Sequence, residues 1–288
     1  MIYSKGEKIF AGLNYLFLGL LGISMLLPFI HLLAKALSNE AYVLANDITF
    51  WPKGIHGGSF AYVLNNQQFI LSFGNSVFIT LVGTFLSLII TMLAAYPLSK
   101  QGFPGRRLIL FLYVLTMFFS GGIIPTYLVV KGLGLTNMIW SMIVPTLLAP
   151  FNLILMRSFF MSIPDALDES ARIDGASNTR ILFTIYLPLS MPSIATIGMF
   201  YAVGYWNNFF SALLYITDRK LMPLQVYLMS IIQDEANISM SNVEALMSTA
   251  PESIRAATII SAVVPILLIY PFLQKYFVKG ALVGAVKG

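Results

Sequence analysis

The chain has 288 residues, of which 58% are hydrophobic and 10% charged, with a net charge of +5 and no cysteine. Soluble domains carry about 25% charged residues, so this sequence cannot cover a soluble fold and reads as a membrane protein. Lacking cysteine, it has no disulfide framework, no thiol catalysis and no zinc–thiolate site. The cations gather at the ends of apolar runs, which fits membrane topology and not nucleic-acid binding.

Lys5 and Lys8 precede an uncharged run from Ile9 to Ala34, too long for the apolar part of a signal peptide, so an uncleaved first span is expected. A helix needs about 20 apolar residues to cross the hydrocarbon core. Six candidates meet that length, at 11–35, 71–99, 108–130, 137–158, 193–216 and 255–277. Helices are expected because backbone groups in lipid must be paired within their own segment. The predicted fold is all-α: a polytopic protein in one transmembrane domain over 1–288.

Long connections are expected at 36–70 and 217–254, and Lys131–Thr136 makes a tight hairpin between the third and fourth spans. Trp51, Pro52 and the Gly54–Gly58 stretch favour an ordered excursion with short helices in the first long connection. With six spans, 11 of the 17 lysines and arginines fall on the side that holds both termini. The richer side should be cytoplasmic.

Residues 159–192 break the apolar pattern. Asp165, Asp168, Glu169 and Asp174 stand with Arg172 and Arg180 within sixteen residues. Such a segment must sit in water. Pro164 suits a helix start, and the acids that follow favour the positive end of the helix dipole. Gly175 suits a break, with a second helix from Ser177 or Asn178 toward Leu187, kinked or ended by Pro188 and Pro192. Ile163, Leu167, Ser170 and Ile173 would form one partly apolar face. The acids argue against a helix lying on anionic lipid headgroups, and a helix pair that docks onto a protein fits better.

Glu169-Ser-Ala-Arg-Ile-Asp-Gly-Ala176, followed by Ile185-Tyr-Leu-Pro188 and Pro192, resembles the EAA loop of binding-protein-dependent ABC importer permeases. Ser170 replaces the middle alanine. Asn75-Ser76, Gly121-Gly-Ile-Ile-Pro125, Asn152–Arg157, Tyr205-Trp-Asn-Asn-Phe209, Pro223-Leu224-Gln225 and the tail Gly280–Gly288 extend the likeness along nearly the whole chain. Together they are similar to the MalG-like subunit of carbohydrate-uptake importers, most of all the subgroup serving acidic oligosaccharides such as aldouronates or alginate.

That resemblance implies a type I (MetI-like) permease bundle with a cytoplasmic coupling element. Asp165, Glu169, Ser170, Ala171, Asp174, Gly175 and Pro188 would couple the chain to an ATPase dimer. Gln233, Asp234, Asn237 and Asn242 would contact an extracellular solute-binding protein. The Gly280–Gly288 tail would reach between the ATPase subunits. A second homologous permease would complete a heterodimer in the bacterial plasma membrane, with ATP and magnesium held by the ATPase and no cofactor in this chain. Tyr205, Trp206, Asn207 and Asn208 are candidates for the translocation path, because aromatic faces stack on sugars and amides bond hydroxyls.

No GxxxxGK[ST] motif occurs, so ATP hydrolysis is assigned to a partner. His31 and His56 are isolated and suggest no metal site. The span interiors hold essentially no acids, which weighs against an ion-coupled secondary transporter. A membrane-embedded enzyme would call for clustered His, Asp or Glu near the interface, and the one dense acid cluster lacks histidine. An ABC permease for a non-sugar solute is the remaining alternative. Glu169→Lys is expected to reverse the charge at the ATPase contact and uncouple hydrolysis from uptake while the fold persists. Wild-type coupling, measured as ATP consumed per solute imported, removes that role from Glu169.

Overall fold

A computed structural model describes residues 5–238, 252–265 and 267–268. The expected contact residue Asn242 and the Gly280–Gly288 tail lie outside them. The chain divides into two compact units, Met1–Ile70 with Leu228–Pro265, and Leu71–Tyr227 with Ile266–Gly288. Among the described residues every regular element is helical.

In the first unit, helix α1 (Lys5–Ala36) is apolar on every side and leaves side chains such as Phe10 and Leu16 exposed. Such a surface is stable only in lipid or against another apolar surface. The connection after it is ordered by short helices α2 (Glu40–Leu44) and α3 (Gly58–Asn65). Asn39 caps α2 by accepting from the Ala41 N–H at 3.0 Å. Ala34, Val43 and Ile48 form a small core beneath this connection.

Glu40 fastens the start of the helix 252–265. Its carboxylate accepts from the backbone N–H groups of Glu252 at 3.0 Å and Ser253 at 3.2 Å, and from the Ser253 hydroxyl. A carboxylate at a helix N-terminus satisfies orphan donors and meets the positive end of the dipole. Lys35 adds an ion pair to Glu252 at 2.7 Å.

The second unit is organised around α4 (Gln67–Ser99), whose first residues belong to the first unit. It continues through α5 (Arg106–Phe118), α6 (Ile123–Gly132), α7 (Trp140–Ile143), α8 (Pro150–Phe160), α9 (Asp165–Ile173), α10 (Asn178–Ile181), α11 (Leu187–Leu189), α12 (Met191–Trp206) and α13 (Phe210–Tyr215). Helix α14 (Leu224–Ile238) starts here and runs on into the first unit. Its core joins Ile79 of α4, Met156 and Phe160 of α8, Ile181 of α10, and Ile197 and Tyr201 of α12.

Six straight rods are not what the described residues form. Helices α1 and α4 are each long and apolar enough to cross a bilayer, and counting three bent pairs as spans brings the number to five. The run 108–130 bends by 118° between α5 and α6. Gly122 adopts φ +87 there, a conformation that glycine tolerates and side-chain-bearing residues rarely do. The run 137–158 bends by 51°, with Pro145 and Pro150 about the break. The run 193–216 is interrupted at Asn207–Phe209 between α12 and α13. The sixth candidate is described only as far as residue 268.

Glu40→Ala should remove the acceptor for the 252–265 helix and lower stability by about 1 kcal/mol, with Glu40→Gln costing less. Thermal unfolding in detergent measures this. Equal midpoints for Glu40→Ala and the wild type would dismiss the capping role.

Candidate functional site

The polar island builds a rigid elbow. Pro164 precedes α9 and carries an extended ψ of 131°, Asp165 and Asp168 occupy its first turn, and Arg172 its last. Gly175 ends it at φ +75. The Gly175 N–H donates to Arg172 O at 3.0 Å and the Ala176 N–H to Ala171 O at 2.9 Å. This pair of bonds is the Schellman closure, and it favours a residue able to enter the left-handed region. Ser177 then caps α10 through the Arg180 N–H at 3.3 Å.

The chain next passes through a π-helical turn, Leu182–Tyr186, and α11 before bending by 85° into α12. The bend lies at Ser190. Pro188 stays within the helical segment before it, and Pro192 sits in the first turn of α12.

The partly apolar face read from sequence is left largely open by α9, which turns a different side inward. Leu167 and Ile173 are exposed, Ile173 at 87%. Ala171 packs on the core, and Asp168 is buried at 9% exposure. A carboxylate goes inward because it is met there by two cations. Lys100, the residue after α4, places Nζ 2.6 Å from Asp168 Oδ1, and Arg172 Nε lies 2.9 Å from Asp168 Oδ2. Lys100 also donates to the Tyr186 hydroxyl at 2.6 Å and lies over the Tyr96 and Tyr186 rings, 4.9 and 4.3 Å from their centroids. Arg172 reaches on to Asn178 Oδ1 at 2.8 Å.

The electrostatics follow from this packing. Burial works to raise the Asp168 carboxyl pKa, but its hydrogen bonds from Lys100 and Arg172 outweigh burial and hold it below the usual carboxylate value. Burial works to lower the Lys100 pKa, but hydrogen bonds with Asp168 and Tyr186 outweigh it and raise the value. Both partners are therefore charged at neutral pH.

Asp165 and Glu169 line a cleft of about 310 Å³ beside this hub, together with Lys100 and Asp168. Among the described residues neither Asp165 nor Glu169 enters an ion pair. Ser170, Asp174, Gly175 and Pro188 are exposed on the same elbow.

Higher in the second unit is a cavity of about 310 Å³ lined by Thr146, Asn152, Tyr201, Tyr205, Asn208 and Ser211, among others, with no charged side chain. Of the four path candidates it gathers Tyr205 and Asn208. Trp206 is buried edge-on to Phe73 at 6.1 Å. Asn207 is exposed and donates to Val203 O at 3.0 Å. The Tyr205 hydroxyl shares a hydrogen bond with Ser87 at 2.9 Å, and that of Tyr201 with Thr91 at 2.7 Å. Asn152 is only 5% exposed.

Asn152 and Tyr201 escaped the sequence reading as path residues, because polar groups more than forty residues apart meet only through the crossing of α8 and α12. Lys100 escaped as a site residue because cations at span ends are common topology markers. In the first unit, Gln233, Asp234 and Asn237 lie on the backbone helix α14.

An apolar helical bundle with bent spans, an acidic elbow and a cavity without charged side chains is the architecture of a membrane-embedded transport component. Residues 9–283 match the family described as binding-protein-dependent transport system inner membrane component, and the chain belongs to that family. Its members are transport components and not enzymes. Protein LplC of Bacillus subtilis (strain 168) is 44% identical, over 99% of this chain and 97% of LplC. The polygalacturonan/rhamnogalacturonan transport system permease protein YtcP of the same strain is 42% identical, over 98% of this chain and 99% of YtcP. The crystal structure of a bacterial ABC transporter involved in the import of the acidic polysaccharide alginate contains a chain with TM-score 0.87 and 34% identity. That match covers 96% of this chain and 99% of the other.

Gly83 touches the cavity wall from behind: a Cβ there would lie 2.7 to 2.9 Å from Tyr205 ring atoms. Gly83→Ala should push the ring off Ser87 and cost about 1–3 kcal/mol, as overpacking does. Gly74→Ala, with nothing within 4 Å, is the matched control. Equal thermal midpoints for the two variants would show that Tyr205 is not held as described.

Proposed function

We propose that this chain is one of two permease subunits of an ABC importer that carries an oligosaccharide, received from an extracellular binding protein, across a bacterial plasma membrane. The observation that carries the reading is the likeness, over nearly the full length, to a chain of the alginate importer. The name of YtcP adds a second acidic polysaccharide to the set of relatives. The bent helix pairs and the segment from 252 onward are read as completing six spans, with both termini and the elbow in the cytoplasm. The whole chain, 1–288, serves as one permease domain.

The elbow is read as the seat of a separate ATPase dimer, which holds ATP and magnesium. Exposed Leu167 and Ile173 offer apolar contact, and the unpaired Asp165 and Glu169 offer acceptors for a basic group. Ser170, Ala171 and Asp174 shape the docking surface, while Gly175 and Pro188 set its angles. Transport requires two states of the bundle, and seating a rigid elbow in a closing motor biases them. The neutral cavity suits a hydroxyl-rich solute. Tyr205 and Asn208 face the path, with Trp206 and Asn207 supporting the turn that presents them. Gln233, Asp234, Asn237 and Asn242 are assigned to the binding-protein contact.

The test is reconstitution of this chain with its second permease, ATPase and binding protein in proteoliposomes, with oligogalacturonide and alginate oligosaccharide as probes. Loaded binding protein is expected to stimulate ATP hydrolysis and ATP-dependent uptake. Absence of stimulation by both probes, or uptake driven by an ion gradient without ATP, overturns the reading.

A further inference from the structure

We infer that α4 is the rod that carries movement of the elbow to the cavity, and that Lys100 is the positioning residue that fastens α9 to its foot. The inference rests on the importer reading above and goes beyond it. Chain continuity alone offers a different route, from α10 through α11 into α12. The polar contacts of α4 point to a second and more direct one.

At the foot, Lys100 binds Asp168 of α9 and Tyr186 of the π-helical turn, each at 2.6 Å. Higher up, Thr91 and Ser87 hold the hydroxyls of the cavity tyrosines Tyr201 and Tyr205 at 2.7 and 2.9 Å. Near the other end, Ser76 accepts the Leu224 N–H at 2.8 Å, and Asn75 donates to Lys220 O at 2.8 Å and Met222 O at 3.1 Å. Ser76, Ser87 and Thr91 are spaced by about three turns and one turn, so they share a face. One unbroken helix therefore grips the elbow, the cavity wall and the segment after α13.

The foot contact is of an unusual kind. The side chains of Lys100 and Asp168 are 22% and 12% exposed. Taking both charges from water costs about as much as their attraction returns, so such a pair is a poor source of stability and a good source of fixed geometry. A polar latch between two rigid helices makes them move together, because separating them strands a half-buried charge. Among the described residues, Asp165 and Glu169 stay out of such pairs. The acids of α9 thus divide between an inward latch and an outward docking edge.

The assembled importer in proteoliposomes tests this, with an oligogalacturonide probe and ATP consumed per sugar imported as the readout. Lys100→Met is expected to raise that ratio severalfold, and Lys100→Arg to restore most of it. The chain has no cysteine, so Lys100→Cys with Asp168→Cys in cysteine-free partner subunits allows a short bis-thiol crosslink. Uncrosslinked, this variant is expected to be uncoupled; crosslinked, it is expected to recover. A wild-type ratio in Lys100→Met, or no recovery on crosslinking, overturns the latch. Failure of both variants to co-purify with the ATPase also overturns it, since the pair then serves folding alone. Lack of stimulation in the wild-type assembly instead removes the importer reading itself.

Discussion

The polar end of this protein depends on how a charge is kept where water is scarce. Asp168 points inward from an otherwise exposed helix, and it can do so because Lys100 and Arg172 divide its two oxygens between them. Remove that arrangement and α9 has only Ala171 and the flanking Ile163 and Ala176 against the core. The pose of the elbow is therefore set by direction-dependent bonds more than by apolar area. Such bonds fix an orientation that hydrophobic contact, being non-directional, does not.

The same logic recurs along α4. Hydroxyl and amide groups in an apolar helix are costly unless bonded, and here Ser76, Ser87 and Thr91 each meet a group from a distant segment. The tyrosines on the far side of two of these bonds line a cavity that mixes hydroxyl and amide groups with apolar surface and holds no charged side chain. Asn152, nearly fully buried, lines the same cavity.

Breaks in the apolar runs give the fold its working parts. Gly122, Pro150 and the Asn207–Phe209 turn each interrupt a stretch that hydropathy treats as continuous. In lipid, freed backbone groups at such breaks must be re-satisfied by neighbours. The Ala149 N–H, just before α8, is one example: it donates to the Tyr201 hydroxyl at 3.1 Å. The bend and the cavity wall are thus one construction.

Composition alone determined that the protein lives in a membrane, because so few charges cannot solvate so much apolar surface. Local sequence also determined the elbow. Pro164, Gly175 and Ser177 act on the backbone within a few residues, and such effects are readable without a fold. The EAA-like string carried the family in the same way. Tertiary structure decided the rest. Periodicity put Leu167 and Ile173 on one partly apolar face without saying which side packs inward, and the buried residue is Asp168, since a partner cation sixty-eight positions away outweighs a weak apolar stripe. Which of Tyr205, Trp206, Asn207 and Asn208 faces the cavity was likewise undecided by their order in the chain. That choice depends on Ser87 and Phe73 of α4 and on the crossing of α8 with α12, contacts between segments that no local rule brings together.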